Sequence, residues 1–326
     1  MILCEFTPSD GSMIRCSLQD FADVHMWKSY IRSFPSLKLA MPNKWGGFAA
    51  PTFSDVSFWP DMFSDSWPPP ATASIRLMWM DGEDETDTQI IFDGTAIRSE
   101  LARDFVSYDL KRPENDTKVA ESTAYSDTLA NVMTTLCGAS LLNLTIDTTR
   151  ARATSPAVSY TTTSEQLTID LASDLCAFFS HGFYIVGTTL YLVDMNDITT
   201  SITKLTEWDI LPSAYRYDNP YSSAKSGDYT VYDTAVANGE ELSISTAYHG
   251  TQANIEEALT IILGIANRPT IEINAMITER AQQIAGCYSF IDESHFLPLQ
   301  TSMIVSDIVY NFDDEKLQAT GPGAIS

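Results

Sequence analysis

The chain has 326 residues, of which 44% are hydrophobic, and its formal net charge at pH 7 is −24. This length is enough for large buried cores and predicts two or three domains. The charge argues against a groove that binds the nucleic-acid backbone, because such binding depends on Lys and Arg neutralising phosphates. It is compatible with a surface that DNA passes without sticking, or with the acidic, solvated surface of a protein from a salty habitat.

Neither a signal peptide nor a membrane-inserted segment is expected. The start of the chain lacks a basic stretch followed by a long apolar core, and the longest apolar run, residues 258–266, is too short to cross a bilayer. No two cysteines have the short spacing of a zinc or redox motif, so free thiols in a reducing cytoplasm are the simplest interpretation. A disulfide between Cys4 and Cys16, across a hairpin, is left open. The five cysteines are Cys4, Cys16, Cys137, Cys176 and Cys287.

The first part of the chain, residues 1–72, is predicted to hold a hairpin and then an irregular segment. Residues 2–6 and 13–18 suit two strands around a turn cluster. Residues 20–34 suit either a short helix or an irregular segment. Seven prolines between residues 35 and 70 exclude long helices and central strands there.

Aromatic residues are dense in this proline-rich segment. Large rings are seldom left in water, so one interpretation is a loop held over a core by its rings. Another is a contact surface for a second subunit, because interface centres favour Trp, Tyr, Phe and Met. A carbohydrate platform is a third. The candidate subunit-contact residues are Trp45, Phe53, Phe58, Trp59, Phe63 and Trp67.

Residues 73–120 are predicted to form the first small antiparallel barrel or sandwich, because short strands recur at close spacing. The acidic stretch at 81–87 lacks the spacing of an EF-hand loop and is interpreted as a solvated hairpin tip. A polar connector is expected at 112–121. The strands are predicted at residues 73–80, 89–93, 95–99 and 105–111.

Residues 121–200 are predicted to form a compact α+β unit. Its first helix has apolar residues at helical spacing, with Asp127 as the N-terminal cap and Gly138 as a left-handed C-terminal residue. Thr163 and Gln166 have the spacing of a capping box and predict the start of the second helix.

Gly182 is expected to end that second helix. Strands at 183–186 and 190–193 then flank Gly187 and Thr188, which suit the tight turn of a hairpin. This unit contains no residue pattern typical of catalysis and is interpreted as a scaffold.

Residues 201–326 are predicted to form a second barrel part with one helix, at 251–266. Residues 219–228 are rich in turn residues, and 277–286 suit a short helix. The glycine-rich tail, 321–326, is expected to be flexible unless a partner holds it. Strands are predicted at 208–217, 228–233, 241–247, 270–276, 299–312 and 316–320.

No catalytic, cofactor-binding or metal-binding motif is recognised, so no enzymatic activity, cofactor or metal is expected. The histidines lie far apart in sequence and are interpreted as surface or structural residues: His25, His181, His249 and His295. Among 43 acidic residues a glycosidase pair could be drawn almost anywhere, so such candidates do not discriminate. The nominal ones are Asp209, Asp292 and Glu293.

Several segments, in order, resemble tailed-phage tail and baseplate hub proteins of the siphophage kind. ATASIRL together with IIFDGTAIR, residues 90–98, resembles their opening barrel, in which a strand ending in Phe-x-Gly is common. Residues 129–194 are similar to their middle part. Residues 295–299 with 308–317 resemble their second barrel, and the Trp- and Pro-containing stretch 51–70 resembles phage tail sequence.

The resemblance implies a mainly β (α+β) fold, with two small antiparallel β-barrel or sandwich domains and a helix-hairpin α+β insertion between them. It further implies a structural, virion-located protein of the phage tail tip, made in the host cytoplasm. Hubs of this kind form a ring, usually a homotrimer with a hexamer as the alternative, that joins the tail tube or distal-tail protein to a central spike or fibre. DNA would pass through without specific binding.

Two other functions are weighed against this one. The chain could be a distal-tail or receptor- and glycan-binding tail protein that uses its Trp-rich segment. It could also be a hydrolase of envelope polysaccharide with unrecognised carboxylates.

Overall fold

The computed structural model describes the following residues: 2–9, 11–18, 27–34, 36–53, 55–80, 88–111, 117–138, 141–198, 202–204, 210–244, 250–276, 287–292, 299–311 and 316–325. The chain divides into two compact units. The first unit comprises Met1–Lys38, Pro51–Pro113 and Tyr310–Lys316, and the second comprises Leu39–Ala50, Glu114–Val309 and Leu317–Ser326. The domain boundaries expected at residues 72, 120 and 200 stay predictions.

Strands dominate the described chain, which confirms the predicted mainly β fold class. The strands are β1 (Ile2–Pro8), β2 (Ile14–Ser17), β3 (Ile31–Ser33), β4 (Ser36–Ala40), β5 (Gly47–Phe48), β6 (Ala50–Phe53), β7 (Val56–Phe58), β8 (Thr72–Met80), β9 (Thr88–Leu101), β10 (Val106–Lys111), β11 (Lys118–Val119), β12 (Ala124–Thr128), β13 (Thr145–Arg150), β14 (Ala157–Thr161), β15 (Gln166–Leu167), β16 (His181–Val186), β17 (Thr189–Asp194), β18 (Ile202–Lys204), β19 (Ile210–Arg216), β20 (Tyr221–Ser226), β21 (Tyr229–Tyr232), β22 (Glu240–Ser243), β23 (Thr270–Met276), β24 (Cys287–Asp292), β25 (Leu299–Ile304), β26 (Asp307–Asn311) and β27 (Lys316–Ile325). The helices are α1 (Leu129–Cys137), α2 (Thr168–Phe178) and α3 (Gln252–Ala266), with a 3-10 turn at Pro60–Phe63.

The first unit contains a seven-stranded antiparallel sheet with the order β2-β1-β8-β9-β10-β7-β3. Its two ends approach each other at the segment before β3. The backbone N–H of Lys28 donates to the carbonyl of Arg15, and the N–H of Ser17 donates to the carbonyl of Lys28. This bridge nearly closes the sheet into a barrel, which leaves few unpaired edge groups.

Aromatic rings fill the barrel interior. Phe6, Phe58, Phe63 and Tyr108 are all fully buried, and the ring of Phe6 lies 5.4, 5.9 and 5.1 Å from the other three in turn. The three contacts of Phe6 are edge-to-face, a geometry that aromatic quadrupoles favour. Phe58 and Phe63 are therefore core rings of the barrel, but Phe58 lies in a strand and not in a loop. The expectation that the proline-rich segment contains no central strand is wrong, because β7 lies between β10 and β3, and the prolines flank this short strand rather than interrupt it.

The two strands predicted at 89–93 and 95–99 are one continuous strand, β9. Gly94 lies within it, where an added Cβ would stand 2.6 Å from the carbonyl oxygen of Lys111. The glycine therefore permits a close approach between strands rather than ending one.

In the second unit, α1 forms where its apolar spacing predicted it, but both predicted ends are wrong in detail. The cap is Thr128, whose extended backbone suits that position and whose hydroxyl accepts from the N–H of Asn131 at 3.4 Å. Asp127 instead accepts from the N–H of Thr128 and the side-chain amide of Asn131. Gly138 has a φ of −77°, so it is not left-handed.

The predicted capping box of α2 is also wrong. Gln166 belongs to β15, which pairs with β11, and the helix begins two residues later without a side-chain cap. The helix ends at Phe178 because Ser180 adopts the left-handed conformation, with a φ of 56°. Gly182 lies inside β16 and does not end the helix.

The hairpin of β16 and β17 is confirmed, with Gly187 at a φ of 57° in its turn. It is the centre of a four-stranded sheet with the order β13-β17-β16-β5. Helices α1 and α2 pack against each other and against this sheet. The apolar stripe predicted for each helix is buried in this core, as strongly patterned helices require.

Helix α3 begins one residue after the predicted start, capped by Thr251, and its apolar stripe is buried against a three-stranded sheet, β21-β20-β22. The stretch 219–228, described from its sequence as rich in turn residues, contains the strand β20 at Tyr221–Ser226, which was not predicted. Ser and Ala residues there are small enough to lie under the helix.

A nine-stranded sheet completes the second unit, and each of its strands has residues in that unit. The tail predicted to be flexible is instead part of β27, where Gly323 pairs with Met303 and Ile325 pairs with Thr301. Gly321 allows this pairing, because an added Cβ would stand 1.8 Å from the carbonyl oxygen of Ile304. The acidic stretch 81–87 and the short helix expected at 277–286 lie outside the described residues.

Candidate subunit-contact surface

Five of the six predicted contact residues have described side chains, and these five lie in three environments. Phe58 and Phe63 lie in the barrel core of the first unit. Trp45 is partly buried against the core of the second unit. Trp59 and Trp67 are exposed, at 43% and 59% of their surface. The side chain of Phe53 lies outside the described part of the structure.

Strand alternation explains why neighbours in sequence face opposite ways. Phe58 is the last residue of β7 and points into the barrel, so Trp59 points outward. The N–H of Trp59 donates to the carbonyl of Tyr30 at 2.8 Å, which fixes the backbone that carries the indole.

Arg32 lies between two aromatic rings on this outer surface. Its guanidinium carbon is 5.5 Å from the Trp59 ring centre and 4.5 Å from the Phe105 ring centre. One of its nitrogens is 3.7 Å from a carboxylate oxygen of Asp104. We call Arg32, Trp59 and Phe105 the Trp–Arg–Phe cluster. Stacking on the two rings holds the long arginine side chain in place, which lowers the side-chain entropy that it could still lose on binding.

The sequence did not predict Arg32 or Phe105 as members of this surface. They lie 27 residues before and 46 residues after Trp59, and only the sheet order brings the three together.

A groove of about 570 Å³ lies elsewhere on the first unit. Its walls include the start of β2, the end of the 3-10 turn and the Ser64–Ser66 stretch, together with Pro68 and Pro70. Arg15 stands over the Trp27 ring and pairs with Glu5, and Lys28 stands over the Tyr30 ring. Both basic residues on this wall therefore already have contacts within the unit.

His181 lies beside an ion pair inside the second unit. Arg152 donates two hydrogen bonds, of 3.1 and 3.0 Å, to the two oxygens of Asp194. The Nδ1 of His181 is 2.9 Å from the carbonyl oxygen of Phe179, and its Nε2 is 3.4 Å from the backbone N–H of Arg152. With both ring nitrogens engaged by the backbone, the imidazole is structural and has no free site for proton transfer.

Burial lowers the pKa of His181 to about 4, only partly offset by Asp194, while Arg152 lowers it further. Because the unfolded side chain titrates near 6.5, the unfolded state binds more protons between these two values. We therefore expect the second unit to be most stable above pH 6.5. The contribution of His181 lowers the free energy of unfolding by about 2 kcal/mol between pH 7 and pH 5, and by about 3 kcal/mol once the pH is below both pKa values.

Denaturant unfolding at several pH values measures this loss. The variant His181→Gln is expected to be less stable at pH 7 but to lose less of its remaining stability on acidification. Equal pH dependence in the two proteins would contradict the assignment of a buried neutral imidazole.

The described residues contain no group of three or more His, Cys, Asp or Glu side chains close enough to hold a metal ion. The nominal carboxylate candidates cannot be placed as a pair, since Asp209 and Glu293, and the side chain of Asp292, lie outside the described part. Within the described chain, no helix has the length and apolar character needed to cross a membrane.

Three solved structures share the fold of this chain over nearly its whole length. The 43 kDa tail protein of prophage MuSo2 from Shewanella oneidensis has a TM-score of 0.59 at 11% identity, covering 99% of this chain and 98% of that one. The tail protein from Neisseria meningitidis MC58 has a TM-score of 0.56 at 10% identity, covering 98% and 95%. Prophage tail protein gp18 from Listeria monocytogenes EGD-e has a TM-score of 0.50 at 9% identity, covering 98% and 94%.

This chain therefore has the same fold as these three tail proteins, which confirms the resemblance of its sequence segments to tail proteins at the level of the fold. The likeness is in fold and not in sequence. No protein-family model matches the sequence, and no curated protein matches it significantly.

Proposed function

We propose that the protein is a structural component of a phage tail tip or baseplate and has no enzymatic activity. In the finer form of the proposal it is a hub ring that joins the tail tube to the central spike or fibre and lines the DNA exit channel. The observation that carries the proposal is the tail-protein fold, which spans 99% of this chain and 98% of a solved tail protein. Such coverage leaves little of the chain for a separate catalytic domain.

The Trp–Arg–Phe cluster, together with Trp67, is the proposed contact with a neighbouring copy. Trp and Arg are the residues most often found to dominate the binding energy of interfaces. Trp59 and Trp67 keep 43% and 59% of their surface exposed in the single chain, so they have apolar area left to bury. The surface itself supports the proposal because Arg32 is already held in place between its two rings in the single chain.

The proposed assembly is a homotrimer, with a hexamer as the alternative. Copies in a ring contact each other through two different surfaces, one on each side of the subunit. Its other partners would be the distal-tail or tube protein and the central fibre, and its place would be the virion after synthesis in the host cytoplasm.

The net charge of −24 supports a lumen that repels DNA. We expect Asp and Glu to outnumber Lys and Arg on the channel wall of the assembled ring. A neutral or basic lumen, seen by electron microscopy of the ring, would contradict this part of the proposal.

Light scattering of the purified chain, with electron microscopy of native virions, tests the assembly. We expect a closed ring at the tail tip, and the variants Trp59→Ala and Trp67→Ala are each expected to weaken association at least about tenfold. Tyr232→Ala is the matched control, since Tyr232 is an exposed aromatic residue of the second unit outside the proposed surface. If all three variants associate equally well, the Trp–Arg–Phe cluster and Trp67 are not the contact surface.

A receptor- or glycan-binding role is the second candidate, and exposed Trp59 and Trp67 are the observation that favours it. If Trp59→Ala abolishes glycan binding while association is unchanged, this role replaces the first. A compact monomer that joins no particle would remove the tail-tip proposal itself.

A further inference from the structure

Two thiols face each other inside the barrel. Cys4 of β1 and Cys16 of β2 are direct partners in the antiparallel register. Both are fully buried and free, and the Sγ of Cys16 is 3.7 Å from the Sδ of Met62. Directly opposed residues of neighbouring strands point to the same face of a sheet. Phe6, two residues after Cys4, marks that face as the barrel interior.

The backbone at this position sets a separation that a disulfide can span. The carbonyl of Arg15 and the N–H of Ser17 are directed at Lys28, so the N–H and carbonyl of Cys16 are directed at β1. Cys4 and Cys16 are therefore a hydrogen-bonded pair, in which the Cα atoms stand about 5.5 Å apart. Disulfides span Cα separations of about 4.4–6.8 Å, so the backbone separation is suitable. The Cβ atoms of a hydrogen-bonded pair stand about 5.5 Å apart, wider than the roughly 3.5–4.5 Å of a disulfide, so β1 and β2 must move slightly closer when the bond forms.

We propose that Cys4 and Cys16 form a disulfide when the protein meets a small-molecule disulfide oxidant such as glutathione disulfide. One protein thiol loses its proton and its sulfur attacks the oxidant, releasing one glutathione thiolate and leaving a mixed disulfide. The second protein thiol loses its proton and its sulfur attacks the protein sulfur of that mixed disulfide, releasing the second glutathione thiolate. The two protein thiols are oxidised by two electrons, and the oxidant is reduced to two molecules of glutathione.

The bond would lie at the seam of the barrel. Cys16 is the residue whose bridge to Lys28 nearly closes the sheet, so a link from Cys16 to β1 ties the closing strand to its neighbour. The disulfide would close a loop between residues 4 and 16 in the unfolded chain and so lower its conformational entropy. This stabilises the folded barrel relative to the unfolded state. The two thiols would stay reduced in a reducing cytoplasm, and the disulfide would form in an oxidising medium.

The reaction is expected to be slow in the folded barrel. Burial raises the pKa of the Cys4 thiol well above its ordinary value, and the contact with Cys16 raises it further. The thiolate is the attacking species, so the reaction depends on openings of the hairpin. Added denaturant below the unfolding midpoint should therefore accelerate it.

Peptide mapping of the full chain tests the proposal. Trypsin cleaves after Arg15 and Lys28, so Cys4 and Cys16 fall on separate peptides, residues 1–15 and 16–28. After incubation with glutathione disulfide, alkylation and non-reducing digestion, we expect these two peptides to be joined with the loss of two hydrogens. Accessible thiols in the denatured protein should fall from five to three. The oxidised protein should also resist thermal unfolding of the first unit by several degrees more than the reduced protein.

The other buried cysteines are an internal control in the same sample. Cys137 ends α1 and Cys176 lies within α2, so no strand register aligns them, and both should be alkylated after denaturation. The variants Cys4→Ser and Cys16→Ser should each abolish the cross-link, and the wild-type map decides the matter if either fails to fold. Single glutathione adducts on both peptides without a cross-link, or a cross-link involving other cysteines instead, would overturn the proposal.

Discussion

Replacing Phe58 with alanine is expected to lower the free energy of unfolding of the first unit by about 3–5 kcal/mol. The side chain is fully buried, and its ring lies within 6.4 Å of the ring centres of Phe6, Phe63 and Tyr108. Truncation removes the transfer free energy of the ring and leaves a cavity. The three remaining rings are held by the nearly closed sheet and the 3-10 turn, so they cannot collapse fully into that space.

The adjacent residue is the matched control. Trp59→Ala deletes a larger ring from the outer surface, where it contacts Arg32 at 5.5 Å, and should cost no more than about 1 kcal/mol. Hydrogen exchange of β1, β7 and β10 is the suitable measurement, because a chain with two units need not unfold in one step. Equal losses from the two variants would mean that Phe58 and Trp59 do not face opposite sides of the sheet.

Gly46→Ala is expected to destabilise the second unit by about 2–5 kcal/mol. Gly46 has a φ of +140°, and an added Cβ would stand 2.2 Å from the carbonyl oxygen of His181. The backbone would have to move away, and β5, which begins at Gly47, would move with it. That movement would separate the stacked rings of Phe48 and Phe183, whose centres are 4.9 Å apart.

Gly264→Ala provides the control for this variant. Gly264 is an exposed residue of α3, and an added Cβ would meet nothing within 4 Å. Alanine there should stabilise the unit by about 0.5–1 kcal/mol, because glycine lowers the stability of a helix interior. Chemical denaturation followed by circular dichroism compares the two variants. A Gly46→Ala protein as stable as the wild type would contradict the close approach of the Gly46 loop to β16.

The sequence predicted the helices and the β16–β17 hairpin because both depend on local patterns. The stripe of α1 needs only residues three or four positions apart, and the hairpin needs only Gly187 between two apolar runs. The ends of the helices were harder to predict because any of several nearby residues can satisfy them. Thr128 is the cap instead of the predicted Asp127, and α2 ends near Ser180, which has a positive φ, and not at the predicted Gly182.

The candidate surface could be predicted only as a region. A dense run of Trp and Phe indicated burial or contact, but strand alternation decides which ring is buried, and β7 is only three residues long. The prediction of a flexible tail at residues 321–326 was wrong for a related reason. Gly321 and Gly323 suggested flexibility, whereas in the structure they permit close approach of β25, a strand whose position the local sequence does not encode.

The position of β4 beside β26 has a consequence for synthesis of the chain. The first unit cannot be completed until the segment that begins at Tyr310 joins the segment that ends at Lys38, about 270 residues earlier. At roughly 5–20 residues per second, a ribosome needs roughly 15–50 s to make the intervening chain. During that interval Leu37 and Leu39, which are buried in the folded protein, lack the neighbouring strand β26. A chaperone that binds β4 would therefore have to act within this period to prevent its premature association.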